Sequence, residues 1–312
     1  MKDKIQQITE YLKYTKTGYL FLPLAVYVLL ILSNLINTFL LDRSNILIIV
    51  FLMFSLALPA VIWFFIRENK RFIPSLRINL PKKEHIIPLV LSFIFLASGS
   101  IILNMIFIGE NYIDFSMYNA FAVERDQGFF NILYTVLSFA ILPAILEEFI
   151  FRGILCAELE RGGTLCAVCI SSLFFSFLNF SFAKAPVYFF AGIVLSIILY
   201  ATDSVICSAI LHVAYNLFAI FAQPLFVSFK DVSANVELFV FLALIVMIVS
   251  LIFLLSQLSR LYRKYSIKNI PSDYTRPIPL QKIPNIFGEI LLSVPAICCY
   301  AVFLIASIIL LI

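Results

Sequence analysis

The chain has 312 residues, of which 62% are hydrophobic and 13% are charged, and its mean hydropathy is +1.05. Soluble globular proteins are about 45–50% apolar and about 25% charged, so this composition excludes a soluble enzyme or binding domain. Intrinsic disorder is excluded as well, because it requires low hydrophobicity and high charge. The net charge of +4 is modest, and no basic domain indicates nucleic-acid binding. We expect an all-α, polytopic membrane protein.

Nine uncharged runs of at least 18 residues predict nine transmembrane helices. About 20 apolar residues are needed to cross the hydrocarbon core, and a helix satisfies the backbone hydrogen bonds there. The fourth run ends at two glutamates, but apolar residues resume at once, so we extend that helix to Cys156. The predicted spans are 17–41, 46–66, 86–108, 127–156, 162–183, 185–202, 204–229, 238–259 and 290–312.

Lysine and arginine residues are distributed unequally between the connections. With a cytoplasmic N-terminus, 18 of the 22 Lys and Arg residues lie on the cytoplasmic side, as the positive-inside rule requires. The proline-containing segment 258–286 is predicted to be an extended cytoplasmic linker. We expect a multi-pass protein of the cell membrane with a three-helix N-terminal region (1–125), a core (126–229) and a C-terminal region holding the linker and a final helix (230–312).

Span four carries three ionisable residues inside the membrane, Glu147, Glu148 and Arg152, where each needs a physical reason. Glu148 and Arg152 are four residues apart with the acid first, which favours an ion pair on one helix face. Glu147 is rotated about 100° from Glu148 and is left without an intrahelical partner, as expected of a general acid or base. Pro143, four residues earlier, should disturb the helix beside a water-filled cavity.

Span seven carries His212 and Asn216, again four residues apart and therefore on one face. Each of them alone, like Asn179 in span five, is explained equally well as a hydrogen-bonding residue between helices. Together with Glu147 they form a plausible hydrolytic site, in which Glu147 activates a water and His212 and Asn216 donate hydrogen bonds to the oxyanion. Asp203, between spans six and seven, is expected to be a helix cap on the cytoplasmic side.

Two of these motifs resemble those of the CPBP membrane proteins, the CAAX-prenyl-protease and bacteriocin-processing group. The stretch EEFIFRG at 147–153 resembles the family's EExxxR-G motif, and HVAYN at 212–216 resembles its HxxxN motif. The resemblance implies an all-helical intramembrane endopeptidase that cuts a peptide near the cytoplasmic leaflet, in a chamber accessible from that side. It also implies that Glu147 activates water and that His212 and Asn216 bind the oxyanion, or His212 a metal.

One position departs from the family pattern. The family's middle motif, FxxxH, resembles Phe175 to Asn179, where asparagine replaces the histidine. An amide cannot accept a proton near neutral pH, and it is a poor zinc ligand. A metal would keep only Glu147 and His212, one ligand fewer than a catalytic zinc site normally has. We therefore expect no tightly bound cofactor, and a weakly held divalent metal stays open.

Three functional hypotheses remain. The first is an active endopeptidase that acts on a peptide or membrane-protein substrate within the lipid bilayer. The second is a family member without catalysis that serves as a membrane scaffold or binds a partner, which the asparagine at position 179 favours. The third is a transporter that uses the buried charges, which the peptidase motifs and the lack of an internal repeat disfavour. The candidate catalytic residues are Glu147, Glu148, Arg152, Asn179, His212 and Asn216.

Overall fold

The structure is a computed structural model that describes residues 17–40, 45–66, 76–108, 132–133, 136–221, 236–267 and 283–309. These residues are almost entirely helical and include no β-strand, which confirms the all-α class. The helices are α1 (Phe21–Leu40), α2 (Asn45–Ile66), α3 (Ile86–Ile108), α4 (136–162), α5 (Thr164–Ser176), α6 (Ala185–Thr202), α7 (Val205–Phe221), α8 (Val236–Ile267), α9 (Ile283–Leu291) and α10 (Val294–Ile309).

Every predicted span overlaps a helix, but not every helix is long enough to cross a bilayer alone. Among the described residues, four helices are sufficiently long and apolar, or five if the bent pair α9 and α10 forms one span. The apolar segments Leu52–Phe65, Thr164–Asn179 and Val205–Phe221 are shorter. The chain is a helical membrane protein, while the number of nine spans and the cytoplasmic N-terminus stay predictions.

The prediction of an extended linker over 258–286 is wrong at both ends. Helix α8 continues to Ile267 through several basic residues, because arginine and lysine are good helix formers and the prolines come later. Helix α9 begins at Ile283, with Pro284 in its first turn, where proline is tolerated. Residues 268–282 lie outside the described part of the chain.

Helix α4, which carries the two glutamates, is irregular. One α-helical stretch, Leu142–Glu148, lies between two π-helical turns, Val136–Ile141 and Phe149–Leu155. Such π turns are rare and occur frequently at functional sites. Pro143 directly follows the first of them, where its ring interferes with the preceding turn. The disturbance predicted at Pro143 therefore takes the form of a change in helical winding beside the acids.

Helices α5 and α6 approach each other closely at Gly192. A Cβ atom at this position would lie 2.9 Å from the Cα atom of Ser172, so a side chain would collide with the backbone of α5. Glycine therefore permits the close approach of α6 to α5, and the Gly192 carbonyl accepts a hydrogen bond from Arg152. The surrounding core includes the buried rings of Phe151, Phe174 and Phe175.

The connections α2–α3, α4–α5 and α6–α7 meet at one end of the bundle. Arg77 binds Glu160, at the end of α4, and its Nε lies 2.7 Å from Oδ1 of Asp203. Asn79 donates to the Asp203 carbonyl at 2.6 Å. Burial disfavours the Arg77 cation, but the two carboxylates outweigh it and hold the pKa of Arg77 above its ordinary value. We call Arg77, Asn79, Glu160 and Asp203 the charged end.

Asp203 caps α6, as its sequence position predicts. It adopts a left-handed backbone conformation, with φ 52°, and its N–H bonds to the carbonyl of Leu199. Short polar side chains tolerate this conformation better than most residues do. The same residue thus ends a helix and supplies a carboxylate to Arg77.

Candidate active site

Glu148 is completely buried, and both of its carboxylate oxygens are engaged. Arg152 Nη1 donates to Oε1 at 2.8 Å, which is the ion pair that the four-residue spacing predicts. Ser208 Oγ, from α7, donates to Oε2 at 2.6 Å. Charge-assisted hydrogen bonds of this kind are the strong ones in proteins, so Glu148 is held rigidly as a carboxylate.

Arg152, on α4, pairs with Glu148 and also contacts residues of α5 and α6. Its Nη2 donates to the carbonyl of Gly192 at 3.2 Å. Its guanidinium lies over the ring of Phe175, 4.2 Å from the centroid, a cation–π contact that gains strength when desolvated. Arg152 therefore links α4 to α5 and α6 as well as neutralising Glu148.

His212 lies between the two glutamates. Its Nδ1 donates to Oε1 of Glu148 at 2.9 Å, because a carboxylate can only accept. In the neutral ring, Nε2 then carries the lone pair. That Nε2 lies 3.9 Å from Oε2 of Glu147. Phe175 packs against the imidazole edge to face, with centroids 5.7 Å apart, and so fixes the plane of the ring.

Glu147, unlike its neighbour, is open to a cavity. Its side chain is 21% exposed, compared with 0% for Glu148. The cavity has a volume of about 280 Å³ and mixes polar and apolar walls. Its lining residues are Leu30, Ser33, Asn34, Leu52, Leu56, Glu147, Leu178, Asn179 and Phe180. Glu148 therefore faces the packed interior, whereas the adjacent Glu147 faces an open cavity.

Asn179 lines the same cavity as Glu147. It ends a 3₁₀ turn after α5, and Phe180, with φ 44°, reverses the chain direction there. Tyr27 of α1 donates to the carbonyl of Phe174 and packs edge to face on Phe180, with centroids 6.0 Å apart. Helix α1 is thereby fixed against this turn and supplies one wall of the cavity.

Asn216 is buried one turn beyond His212 and is not among the cavity-lining residues. Its Nδ2 donates to the carbonyl of Ala140 at 3.3 Å, inside the π-helical turn that precedes Pro143. Polar residues bridge transmembrane helices in this way. An amide nitrogen carries two hydrogens, so the contact with Ala140 uses one of them.

The residues at the cavity do not fit a three-ligand metal site. Within the described part of the chain, no group of three or more His, Cys, Asp and Glu side chains is placed to hold a metal ion. Glu147 lines the cavity, His212 lies 3.9 Å from Glu147 but outside the cavity lining, and Glu148 is engaged by Arg152 and Ser208. We derive no step through a metal.

Sequence reasoning missed two parts of this arrangement. Ser208 precedes His212 by one helical turn and so shares its face, but serine in a membrane helix is too common to single out. The cavity walls from α1 and α2 carry no motif, and only the packing of the helices reveals them. By contrast, the structure brings Glu147, Glu148 and His212 together as the sequence predicts, with Asn179 across the cavity.

Comparison with known proteins identifies one segment. Residues 129–218 match the family model described as Type II CAAX prenyl endopeptidase Rce1-like. This segment contains all six candidate site residues and leaves α1, α2, α3, α8, α9 and α10 outside. No curated protein and no solved structure matches the chain. The match confirms the resemblance read from the motifs: residues 129–218, under a third of the chain, are similar to the Rce1-like endopeptidases.

Proposed function

We propose that the protein is a multi-pass intramembrane endopeptidase of the cell membrane in which Glu147 activates the attacking water. The observation that carries this proposal is the contrast between the adjacent acids. Glu148 is sequestered by Arg152, Ser208 and His212, whereas Glu147 faces both a cavity and the Nε2 atom of His212. The similarity of residues 129–218 to a protease family supports the same reading.

A water molecule fits between Glu147 and His212. The two acceptor atoms lie 3.9 Å apart, so one water can donate a hydrogen to each at ordinary lengths of about 2.8 Å. In the attack, the water oxygen bonds to the substrate carbonyl carbon, its proton passes to Glu147, and the carbonyl electrons move to the oxygen. When the C–N bond breaks, the proton on Glu147 passes to the leaving nitrogen.

The oxyanion needs hydrogen-bond donors, and two residues supply them in this proposal. Asn216 contributes its second amide hydrogen once it turns from the interior toward the cavity, whose lining does not include it. Because Nδ1 of His212 donates to Glu148, Nε2 donates to the oxyanion only after it has taken up the second hydrogen of the attacking water as a proton, and that proton passes to the leaving amine when the products separate. Asn179, which lines the same cavity, orients the water in this proposal, since its amide can donate and accept hydrogen bonds but cannot take a proton.

Replacing Glu147 by glutamine tests the proposal, because the change removes the base and keeps the shape. General-base catalysis contributes about 10²- to 10⁴-fold, and we expect a loss of that order in peptide cleavage by the purified, reconstituted protein. Glu237→Gln, an exposed position at the start of α8, is the matched control. Full activity of the Glu147→Gln variant would overturn the mechanism.

A second candidate function rests on Asn179. It lines the cavity where the family motif has histidine, so a family member that has lost catalysis and holds a partner protein in the membrane is the competing proposal. It requires that Glu147→Gln leave the biological phenotype unchanged while Gly192→Ala, which disturbs helix packing, abolishes it. The endopeptidase proposal requires that both substitutions abolish the phenotype.

A further inference from the structure

One short turn after α5 supplies a wall of the cavity. Three consecutive residues, Leu178, Asn179 and Phe180, belong to the cavity lining. Helix α5 ends at Ser176, and residues 177–180, which we call the cavity turn, follow it directly. Because Asn179 lies beyond the last residue of the α-helix, its position relative to the rest of the cavity depends on the contacts that fix the cavity turn.

The backbone of the cavity turn does not favour its conformation by itself. Phe180 has φ 44° and ψ 38°, in the left-handed region, where a bulky residue other than glycine is an outlier. The N–H of Phe180 bonds to the carbonyl of Phe177 at 3.1 Å, which closes the turn but does not anchor it to the bundle. Strained residues of this kind persist only where the surrounding structure determines them, and they cluster at active sites. The cavity turn therefore depends on contacts from other helices.

Helix α10 supplies aromatic rings that pack on the cavity turn. Phe303 stacks on Phe177 with the ring centroids 4.3 Å apart and the ring planes 23° apart. Tyr300, three residues earlier on the same face of α10, meets Phe177 edge to face at 6.0 Å. Phe303 also contacts Phe182, which follows the cavity turn, at 5.0 Å. Aromatic pairs of this geometry add stability beyond the area that they bury, so α10 holds the chain both before and after Asn179.

Helix α1 holds the remaining part of the cavity turn. Tyr27, which is completely buried, donates to the carbonyl of Phe174 near the end of α5, and its ring packs edge to face on Phe180. Helices α1 and α10 also meet, since Sγ of Cys299 lies 3.9 Å from the carbonyl oxygen of Leu20, directly before α1. Both helices lie outside the segment that matches the family model. The two helices therefore form one support for the turn that carries Asn179.

We propose that Phe303 and Tyr300 of α10, together with Tyr27 of α1, are positioning residues that hold Asn179 at the cavity beside Glu147. The proposal rests on the proposed endopeptidase function, in which Asn179 orients the attacking water. All three residues act through the cavity turn, since the cavity lining does not include them. The family-matched segment thus carries the reacting groups, and two helices outside it determine how precisely the water is oriented.

Electron paramagnetic resonance tests the proposal without requiring catalysis. A methanethiosulfonate nitroxide on Asn179→Cys reports mobility at the cavity turn in the full-length protein, after serine replaces Cys169 and Cys298, which are incompletely buried. We expect Phe303→Ala to narrow the nitroxide spectrum, because the turn loses its stacked ring. Leu254→Ala in α8 is the matched control, since Leu254 and Phe303 are both 4% exposed, and it should leave the spectrum unchanged. An unchanged spectrum with Phe303→Ala, or an equal change with Leu254→Ala, would overturn the proposal.

Tyr300 offers a milder pair of variants in case Phe303→Ala does not fold. Tyr300→Phe keeps the ring that packs on Phe177, whereas Tyr300→Leu removes it. We expect the nitroxide at position 179 to become more mobile with Tyr300→Leu and to retain its mobility with Tyr300→Phe. Equal mobility in these two variants would contradict a role for the aromatic contact.

Cleavage kinetics of the unlabelled protein separate the positioning role from the proposed function. Phe303→Ala should lower kcat by up to about 10²-fold, the loss that a small misplacement can cause, while KM and the kcat of Leu254→Ala stay unchanged. A mobile nitroxide without a loss of kcat would overturn the positioning role. If the spectra change as expected but Glu147→Gln retains full cleavage, the endopeptidase mechanism fails and the support of the cavity turn stands. If Glu147→Gln abolishes cleavage but Phe303→Ala changes neither spectrum nor kcat, the mechanism stands and the positioning role is wrong.

Discussion

His212 donates from Nδ1 to Oε1 of Glu148 at 2.9 Å, and this bond determines which imidazole nitrogen faces Glu147. The arrangement resembles the carboxylate–histidine pairs in which a buried acid fixes tautomer and ring orientation. Glu148 is therefore a positioning residue that acts through His212, while Glu147 is the acid that can contact substrate or water.

Ser208 donates to the second oxygen of Glu148 at 2.6 Å, so Ser208→Ala removes one fixed point of the Glu148–His212 pair. A buried acceptor left without its donor costs about 1–3 kcal/mol, and we expect the thermal unfolding midpoint to fall. Because the imidazole loses its fixed orientation, kcat should fall while KM stays unchanged.

The matched control for this prediction is Ser250→Ala. Ser250 is also buried, but its hydroxyl donates to the Met247 carbonyl within α8, away from the cavity. It should leave kcat unchanged. A Ser208→Ala protein that loses stability and retains its full kcat would show that Ser208 is structural and not a positioning residue.

Arg152 is the buried countercharge of Glu148, and Arg152→Met leaves that carboxylate uncompensated. Breaking a buried pair by removing one partner costs about 3–5 kcal/mol, which we expect in the free energy of unfolding measured by denaturant titration in detergent. Adding Glu148→Gln removes the isolated charge, so the double variant should be more stable than Arg152→Met alone. Additive losses in this double-mutant cycle would mean that the two side chains do not interact energetically.

Gly192→Ala tests the close approach of α5 and α6. The added methyl group would lie 2.9 Å from the Cα atom of Ser172, and overpacking of this kind costs about 1–3 kcal/mol. Cleavage should fall as well, because the Gly192 carbonyl accepts a hydrogen bond from Arg152.

Gly288→Ala in α9 is the control, since nothing lies within 4 Å of its new methyl group. It should stabilise the protein slightly, because alanine reduces the entropy of the unfolded chain. Equal stability of the two variants would contradict the close packing.

The sequence predicts the contacts of the site that lie within one helix, but not the contacts between helices. The ion pair of Glu148 with Arg152 follows from helical spacing alone, as does the different direction of Glu147. That His212 meets these acids was inferred from the chemistry of the residue types together and from motif resemblance, because spacing within a chain says nothing about contacts between helices 60 residues apart. Ser208 on Glu148 and Asn216 on Ala140 are such contacts, and no local pattern predicts them.

The fold predictions divide in the same way: features within one helix were predicted, and the packing of distant helices was not. Apolar runs predicted where helices occur, and Pro143 predicted a disturbance in α4. The linker prediction failed because polar composition was read as loss of structure, whereas α8 continues as a helix to Ile267. The cavity is invisible in the sequence, since its walls come from α1, α2, α4 and the turn after α5, which meet only in three dimensions.

Asn179→His restores the family's middle motif within an intact cavity. Asn179 and Glu147 line the same cavity, so an imidazole at 179 supplies the proton acceptor that the amide lacks, and cleavage should rise.

The gain in cleavage must depend on pH in one direction. An imidazole accepts a proton only when neutral, and its ordinary pKa is about 6.5, so the gain should be present above that pH and lost below it. Asn34→His, at another residue of the cavity lining, is the control for adding any imidazole there. A pH-independent gain, or an equal gain from Asn34→His, would show that the new histidine does not act as a base beside Glu147. No gain at any pH would favour the non-catalytic scaffold, because the cavity would then lack the geometry to use a base at the position where the family motif has one.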